Sequence, residues 1–129
     1  MRKFLLILLV IDRTILGAQT SGSNELCFAS DTQKPMWVET LYLKKDHNQL
    51  ATKTLFDAVA TRKPAALFIM GDVVNLGYSD RQWKPIDGYL NTLRGENVPV
   101  FAVLGNHEVM GEPGKGQEKF QKRFPLCWT

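Results

Sequence analysis

Three short apolar runs, each followed at once by polar residues, constrain the fold of this 129-residue chain more than any other feature. The runs are Glu25–Ala29, Ala65–Met70 and Val98–Leu104. Strands that are apolar at successive positions are typical of a parallel sheet, because helices cover both of its faces. The sequence therefore predicts three buried parallel strands.

Amphipathic segments separate and follow these runs. Apolar residues recur at helical spacing over Gln49–Thr61 and over Asp80–Arg94, and each segment is long enough to connect two parallel strands. A loop at Gly111–Gly114 precedes a short third helix at Gln117–Phe124, which Pro125 ends. Alternating strands and helices predict an α/β fold with a mostly parallel sheet.

Composition and charge exclude several classes of protein. Hydrophobic residues make up 44% of the chain and charged residues 22%, which is typical of a globular domain and not of a disordered or collagen-like chain. The formal net charge is +3, and Arg2, Lys3 and Arg13 against Asp12 contribute +2 of it. Because the other basic residues are scattered, we expect no nucleic-acid-binding surface.

The N-terminus has the layout of a secretory signal. Met1–Lys3 is basic, and Phe4–Ile11 is an apolar run far shorter than the ~20 residues that span a bilayer. We expect a signal peptide at residues 1–18, a flexible linker at 19–24 and one domain at 25–129. The alternative is an amphipathic or buried N-terminal segment. The signal predicts a secreted or periplasmic protein with no membrane span after its removal.

Polar side chains that suit metal binding follow each predicted strand. Asp31 follows the first strand, Asp72 the second, and Asn106 and His107 the third. Ligands of α/β sheets bind at the carboxyl ends of the strands, and this set suits Mn²⁺, Fe²⁺, Mg²⁺ or Zn²⁺. Two such ions can promote hydrolysis of a phosphate ester. The alternative is that these residues only cap turns and helices, as Asp and Asn often do.

The three motifs together resemble those of the calcineurin-like metallophosphoesterases. They are Ser30-Asp31-Thr32-Gln33, Gly71-Asp72-Val73-Val74-Asn75-Leu76-Gly77 and Gly105-Asn106-His107-Glu108. They stand in the order of that family, each after an apolar strand. The resemblance covers about residues 25–124 and implies the N-terminal half of an αββα sandwich. Such a half would leave one sheet face without the layer that normally covers it.

The resemblance also implies a role for each residue. Asp31 corresponds to a ligand of a first divalent metal ion, Asp72 to a carboxylate that bridges two ions, and Asn106 to a ligand of the second. His107 corresponds to the histidine that contacts the phosphate and stabilises or protonates the leaving oxygen. Glu108 would orient that histidine without itself contacting the metal or the substrate. The substrate implied is a phosphate mono- or diester.

Two departures from the family pattern leave the activity open. Gln33 stands where the family usually has a metal-binding histidine, so we expect an amide oxygen as a weaker ligand at that position. The family also places metal-binding histidines after the third motif, whereas this sequence has only His47 and His107. We expect His47 to be a solvated residue near a helix start. The sequence predicts a phosphoesterase domain truncated at its C-terminus: an active enzyme, a non-catalytic remnant, or a half-domain that a second chain completes.

Overall fold

The computed structural model of this chain describes residues 24–36 and 47–125. Three strands form one sheet in the order β1-β2-β3: β1 is Leu26–Ala29, β2 is Ala66–Ile69 and β3 is Val100–Ala102. Both pairings are parallel. The predicted parallel α/β architecture is therefore confirmed, with strands slightly shorter than the apolar runs.

Two long helices, one single turn and a C-terminal helix accompany the sheet. They are α1 at Asn48–Arg62, α2 at Asp80–Gly95, α3 at Asn106–Val109 and α4 at Pro113–Arg123. The first two lie within one residue of their predicted bounds. The fourth begins earlier than predicted, because Pro113 opens it, and proline is favoured in the first turn of a helix. The single turn α3 was not predicted.

One face of the sheet and the helices form the hydrophobic core. Leu67, Ile69 and Ala102 point from the strands into this core, where less than a tenth of each residue is exposed. The buried helix residues that share it are Phe56, Val59, Trp83, Ile86, Leu90, Leu93 and Phe120. The described residues therefore form two layers, with the helices on one side of the sheet.

The opposite face of the sheet is apolar and open. Phe28, Phe68 and Phe101 lie in register across the three strands, with ring centroids 5.3 and 5.1 Å apart. Phe28 is 65% exposed, and Leu26, Met70 and Val103 are each more than half exposed. Within residues 24–36 and 47–125 a single sheet is present. This open face agrees with the half-sandwich that the motifs implied.

Several predictions fall on other parts of the chain. The signal peptide at residues 1–18 and most of the linker at 19–24 lie outside the described residues. In the part of the chain that is described, no helix is long and apolar enough to cross a membrane. His47 is exposed and directly precedes α1, as expected.

Candidate functional site

The loops after β1 and β2 are joined at the carboxyl edge of the sheet. The backbone N–H of Asp31 donates to the carbonyl of Gly71 at 3.4 Å, and that of Gln33 donates to the carbonyl of Asp72 at 3.2 Å. Because the strands are parallel and paired in register, their ends meet at one edge. The structure thus brings the first two motifs side by side, as their positions after the strands predicted.

Both aspartates have unusual backbone conformations. The φ angle is 54° at Asp31 and 53° at Asp72, in the left-handed region that few residues other than glycine adopt. Such a conformation costs roughly 1–3 kcal/mol and is concentrated at functional sites. Gly71 (φ 97°) precedes Asp72, so the second loop reverses sharply as soon as β2 ends. The loops therefore hold these carboxylates in defined positions at the cost of local strain.

A buried carboxylate joins the second motif to the third. Glu108 is fully buried, and its Oε2 accepts hydrogen bonds from the N–H groups of Gly105 at 2.8 Å and Asp72 at 3.1 Å. Its Oε1 accepts another from the N–H of Val74 at 2.9 Å. The bond to Gly105 is the usual one from the third residue of a helix to its N-cap. Glu108 thereby fixes the Asp72 loop against the start of α3.

The environment of Glu108 alters its protonation. Burial raises the pKa of this carboxyl above its ordinary value of 4.5, and the negative charge of Asp72 adds to the increase. The three backbone N–H donors act in the opposite direction, because they stabilise the carboxylate. Burial has the larger effect, so the net pKa is raised.

The partner expected for His107 has to be corrected. We expected Glu108 to orient the imidazole, but both Glu108 oxygens face backbone N–H groups, and the Nδ1 of His107 lies 3.1 Å from the carbonyl oxygen of Asn75. A carbonyl can only accept, so this bond requires the proton on Nδ1 and leaves Nε2 for a ligand. The sequence placed Asn75 within the second motif but gave it no role.

Glycine permits the close approach of the second and third loops. A Cβ atom at Gly105 would overlap the backbone nitrogen and the Oδ1 oxygen of Asp72. The backbone N–H of His107 donates to the same Oδ1 at 3.0 Å. Gly105 therefore allows the Asp72 carboxylate to reach the start of α3.

The donors at this edge fit a hard divalent cation. Asp31 and Asp72 supply carboxylates and Asn106, which is exposed, supplies an amide oxygen. Oxygen donors of this kind hold Mg²⁺ or Mn²⁺ when water and phosphate complete the coordination. Within residues 24–36 and 47–125, no three His, Cys, Asp or Glu side chains come together as a metal cluster. The donor types at this edge are therefore those that a hard divalent cation prefers.

Gln33 borders a cleft that is lined in part by the loops after β1 and β2. The side-chain Oε1 of Gln33 is buried and has no hydrogen-bond partner among the described residues. The cleft has a volume of about 120 Å³ and lies between the two joined loops and the first turns of α1 and α2. A buried acceptor without a partner is uncommon and calls for an explanation.

Comparison with known protein families gives a match that covers the candidate site. The family model for calcineurin-like phosphoesterase matches residues 26–128, which include all three motifs. Searches against curated proteins and solved structures gave no significant match. The family match spans most of the chain and starts at β1. The chain therefore belongs to the calcineurin-like phosphoesterase family.

Proposed function

We propose that this chain is a metal-dependent phosphoesterase that hydrolyses a phosphate mono- or diester. Family membership supports the reaction type. The observation that carries the proposal is the hydrogen bond of 3.0 Å between the His107 backbone and the Asp72 carboxylate. This bond keeps a carboxylate for the cation and an imidazole for the phosphate on adjacent loops at one edge of the sheet.

Asp31, Asp72 and Asn106 would hold the divalent cation, which could be Mn²⁺, Fe²⁺, Zn²⁺ or Mg²⁺. By family resemblance the complete site would take two ions, and the carboxylate of Asp72 would help to hold both. Bound cations of this kind supply Lewis-acid stabilisation of the phosphate charge and make water a better nucleophile. The resemblance adds Gln33 as a further ligand.

The role of His107 follows from its contacts. Its Nδ1 is held by the Asn75 carbonyl, so the imidazole has one orientation and directs Nε2 away from that carbonyl. When the ring is protonated, Nε2–H can donate to a phosphate oxygen or give its proton to the leaving oxygen. Glu108 supports this geometry through the backbone, because it fixes the start of α3, on which His107 lies.

The direct test is hydrolysis of p-nitrophenyl phosphate and bis(p-nitrophenyl) phosphate by the purified chain, with and without Mn²⁺ or Zn²⁺. We expect metal-dependent turnover that falls by about 100-fold or more in Asp72→Asn, since the charge that binds the cation is removed. Asp57→Asn, on the exposed side of α1, is the matched control. Equal rates in Asp72→Asn and the wild type would exclude this site.

A second candidate function is a non-catalytic half-domain that keeps a partial metal site and associates with a second chain. The open apolar face around Phe28, Phe68 and Phe101 supports it, because large exposed apolar patches are typical of interaction sites. Light scattering distinguishes the two, since this candidate requires an oligomer or a mixed complex. A stable monomer with metal-dependent turnover would exclude it.

We also propose that the protein is secreted or periplasmic. The basic start at Met1–Lys3 and the apolar run Phe4–Ile11 support export. N-terminal sequencing of the exported protein is the test, and we expect a mature chain that begins near residue 19. A product retained inside the cell with Met1 intact would contradict the proposal.

A further inference from the structure

The loops that carry Asp31 and Asp72 are joined by a buried side-chain hydrogen bond as well as by backbone bonds. The hydroxyl of Thr32, the residue after Asp31, donates to the carbonyl oxygen of Val73, the residue after Asp72, at 3.1 Å. Thr32 is only 6% exposed, and a hydrogen bond away from water is electrostatically stronger. This bond ties together the two positions that directly follow the candidate metal ligands.

Helix α1 also holds the first of these loops. The hydroxyl of Thr52, which is buried, donates to the carbonyl oxygen of Thr32 at 3.1 Å. The side-chain Nδ2 of Asn48 donates to the carbonyl oxygen of Gln33 at 2.6 Å. Because Asn48 and Thr52 are four positions apart, they lie on the same face of α1. Two consecutive peptide carbonyls of the first loop are thus bonded to that face.

The two threonine bonds connect three parts of the structure in series. Thr32 accepts from Thr52 of α1 through its carbonyl and donates to Val73 through its hydroxyl. We call these two bonds the threonine link. It runs from α1 through the loop of Asp31 to the loop of Asp72, and every donor in it is a side chain. A substitution can therefore remove each bond without altering either aspartate.

We infer that Thr32 and Thr52 are positioning residues for the divalent cation, because the threonine link sets the loop of Asp31 against the loop of Asp72. The inference rests on the proposed function, in which both aspartates hold the cation. Neither hydroxyl is offered as a metal ligand, since each donates to a backbone carbonyl. Ligands that are held in place before the ion arrives lose less conformational freedom on binding, so the link raises the affinity of the site.

The test is the affinity of the full chain for Mn²⁺, measured by electron paramagnetic resonance of the free ion. Thr32→Val keeps the shape of the side chain and removes the hydroxyl, so the carbonyl of Val73 loses its donor. We expect the dissociation constant to rise by about tenfold, as when a partner that supports metal ligands is lost. Thr32→Ser restores a hydroxyl and should recover most of the affinity. A folded Thr32→Val variant that binds Mn²⁺ as tightly as the wild type would overturn the inference.

A control at a distant position separates positioning from a general loss of stability. Val98 is buried and directly precedes the parallel strand β3, so it lies at the edge of the sheet opposite the aspartates. Val98→Ala leaves a cavity and should lower the urea midpoint, as Thr32→Val also should. It should leave the affinity for Mn²⁺ unchanged. Equal rises of the dissociation constant in the two variants would mean that lower stability alone weakens binding, and the inference would fail.

Thr52→Val tests the helix end of the link. It removes the donor to the carbonyl of Thr32 and leaves the hydroxyl of Thr32 in place, so we expect a smaller rise of roughly threefold, a weak net hydrogen bond. Thr54→Val is the matched control, because its exposed hydroxyl donates to the carbonyl of Leu50 within α1. It should bind Mn²⁺ like the wild type. If Thr32→Val does not fold, equal affinities of these two variants would overturn the inference.

The binding measurement separates this inference from the proposed function, because it needs no turnover. A wild type that hydrolyses no ester but binds Mn²⁺ more tightly than Thr32→Val overturns the phosphoesterase proposal and leaves the positioning role. A wild type that hydrolyses esters and binds Mn²⁺ no more tightly than Thr32→Val overturns only the positioning role. A wild type that binds no Mn²⁺ also overturns the positioning role.

Discussion

The backbone nitrogen of His107 lies 3.0 Å from the Oδ1 oxygen of Asp72, so the second and third motifs are joined by a hydrogen bond from the main chain to a carboxylate. One oxygen of the Asp72 carboxylate thereby accepts a hydrogen bond from the protein's own main chain. The same bond sets the position of the residue that carries the imidazole. The two motifs therefore depend on each other structurally as well as chemically.

Replacing Asp72 should separate its structural role from its chemical role. Asparagine keeps an acceptor oxygen and tolerates the left-handed backbone of this position, so Asp72→Asn should lower the free energy of unfolding by less than about 1 kcal/mol. Alanine lacks the acceptor and strains the backbone, so Asp72→Ala should lower it by roughly 2–4 kcal/mol. Urea unfolding followed by circular dichroism measures both. Equal destabilisation by the two substitutions would show that the hydrogen bond between the His107 N–H and the Asp72 side chain does not stabilise the fold.

Replacing Glu108 tests its role as the acceptor for three backbone N–H groups. In Glu108→Gln one oxygen becomes an NH₂ group, which faces an N–H instead of accepting from it. We expect the free energy of unfolding to fall by about 1–3 kcal/mol. The control Glu118→Gln alters an exposed ion pair with Lys122 and should change it by no more than about 0.5 kcal/mol. Similar values for the two variants would refute the structural role.

The raised pKa of Glu108 predicts a pH dependence with a definite sign. The folded chain binds this proton more tightly than the unfolded chain, whose carboxyl has the ordinary pKa of about 4.5. As pH rises from 4.5 through the raised pKa, the unfolded state loses the proton first, so the contribution of Glu108 to the free energy of unfolding decreases. The difference between wild type and Glu108→Gln should therefore shrink from pH 4 to pH 7. A difference that grows over this range would mean that the pKa is lowered.

The strands, the long helices and the edge at which the site forms could be predicted because they depend on local patterns. Continuous apolar runs identify the strands, and parallel strands place the residues that follow them at one edge. The partners of Glu108 and His107 could not be predicted in this way. Apart from Gly105, which is local to α3, they are backbone groups of Asp72, Val74 and Asn75, more than 30 positions distant in the chain and brought near by packing. Nor does composition reveal the left-handed conformations of Asp31 and Asp72, which are seen only in the folded backbone.

Two glycines pack directly against the backbone of Glu108. A Cβ atom at Gly77 or at Gly116 would overlap the carbonyl group of Glu108, so α4 and the second motif both approach α3 at glycine. Gly116→Ala should push α4 away and lower the free energy of unfolding by roughly 1–3 kcal/mol, the usual cost of overpacking.

Gly114→Ala is the matched control for that change, because it lies in the same helix with open space around the added atom. Alanine has a higher helix propensity than glycine. The free energy of unfolding of this variant should therefore be unchanged or higher by up to about 1 kcal/mol. Thermal and urea unfolding of the two variants measure the contrast. Because Glu108 fixes the loop of Asp72, Gly116→Ala should also slow phosphate ester hydrolysis, whereas Gly114→Ala should leave the rate unchanged. A Gly116→Ala variant as stable and as active as Gly114→Ala would show that this contact does not position the site.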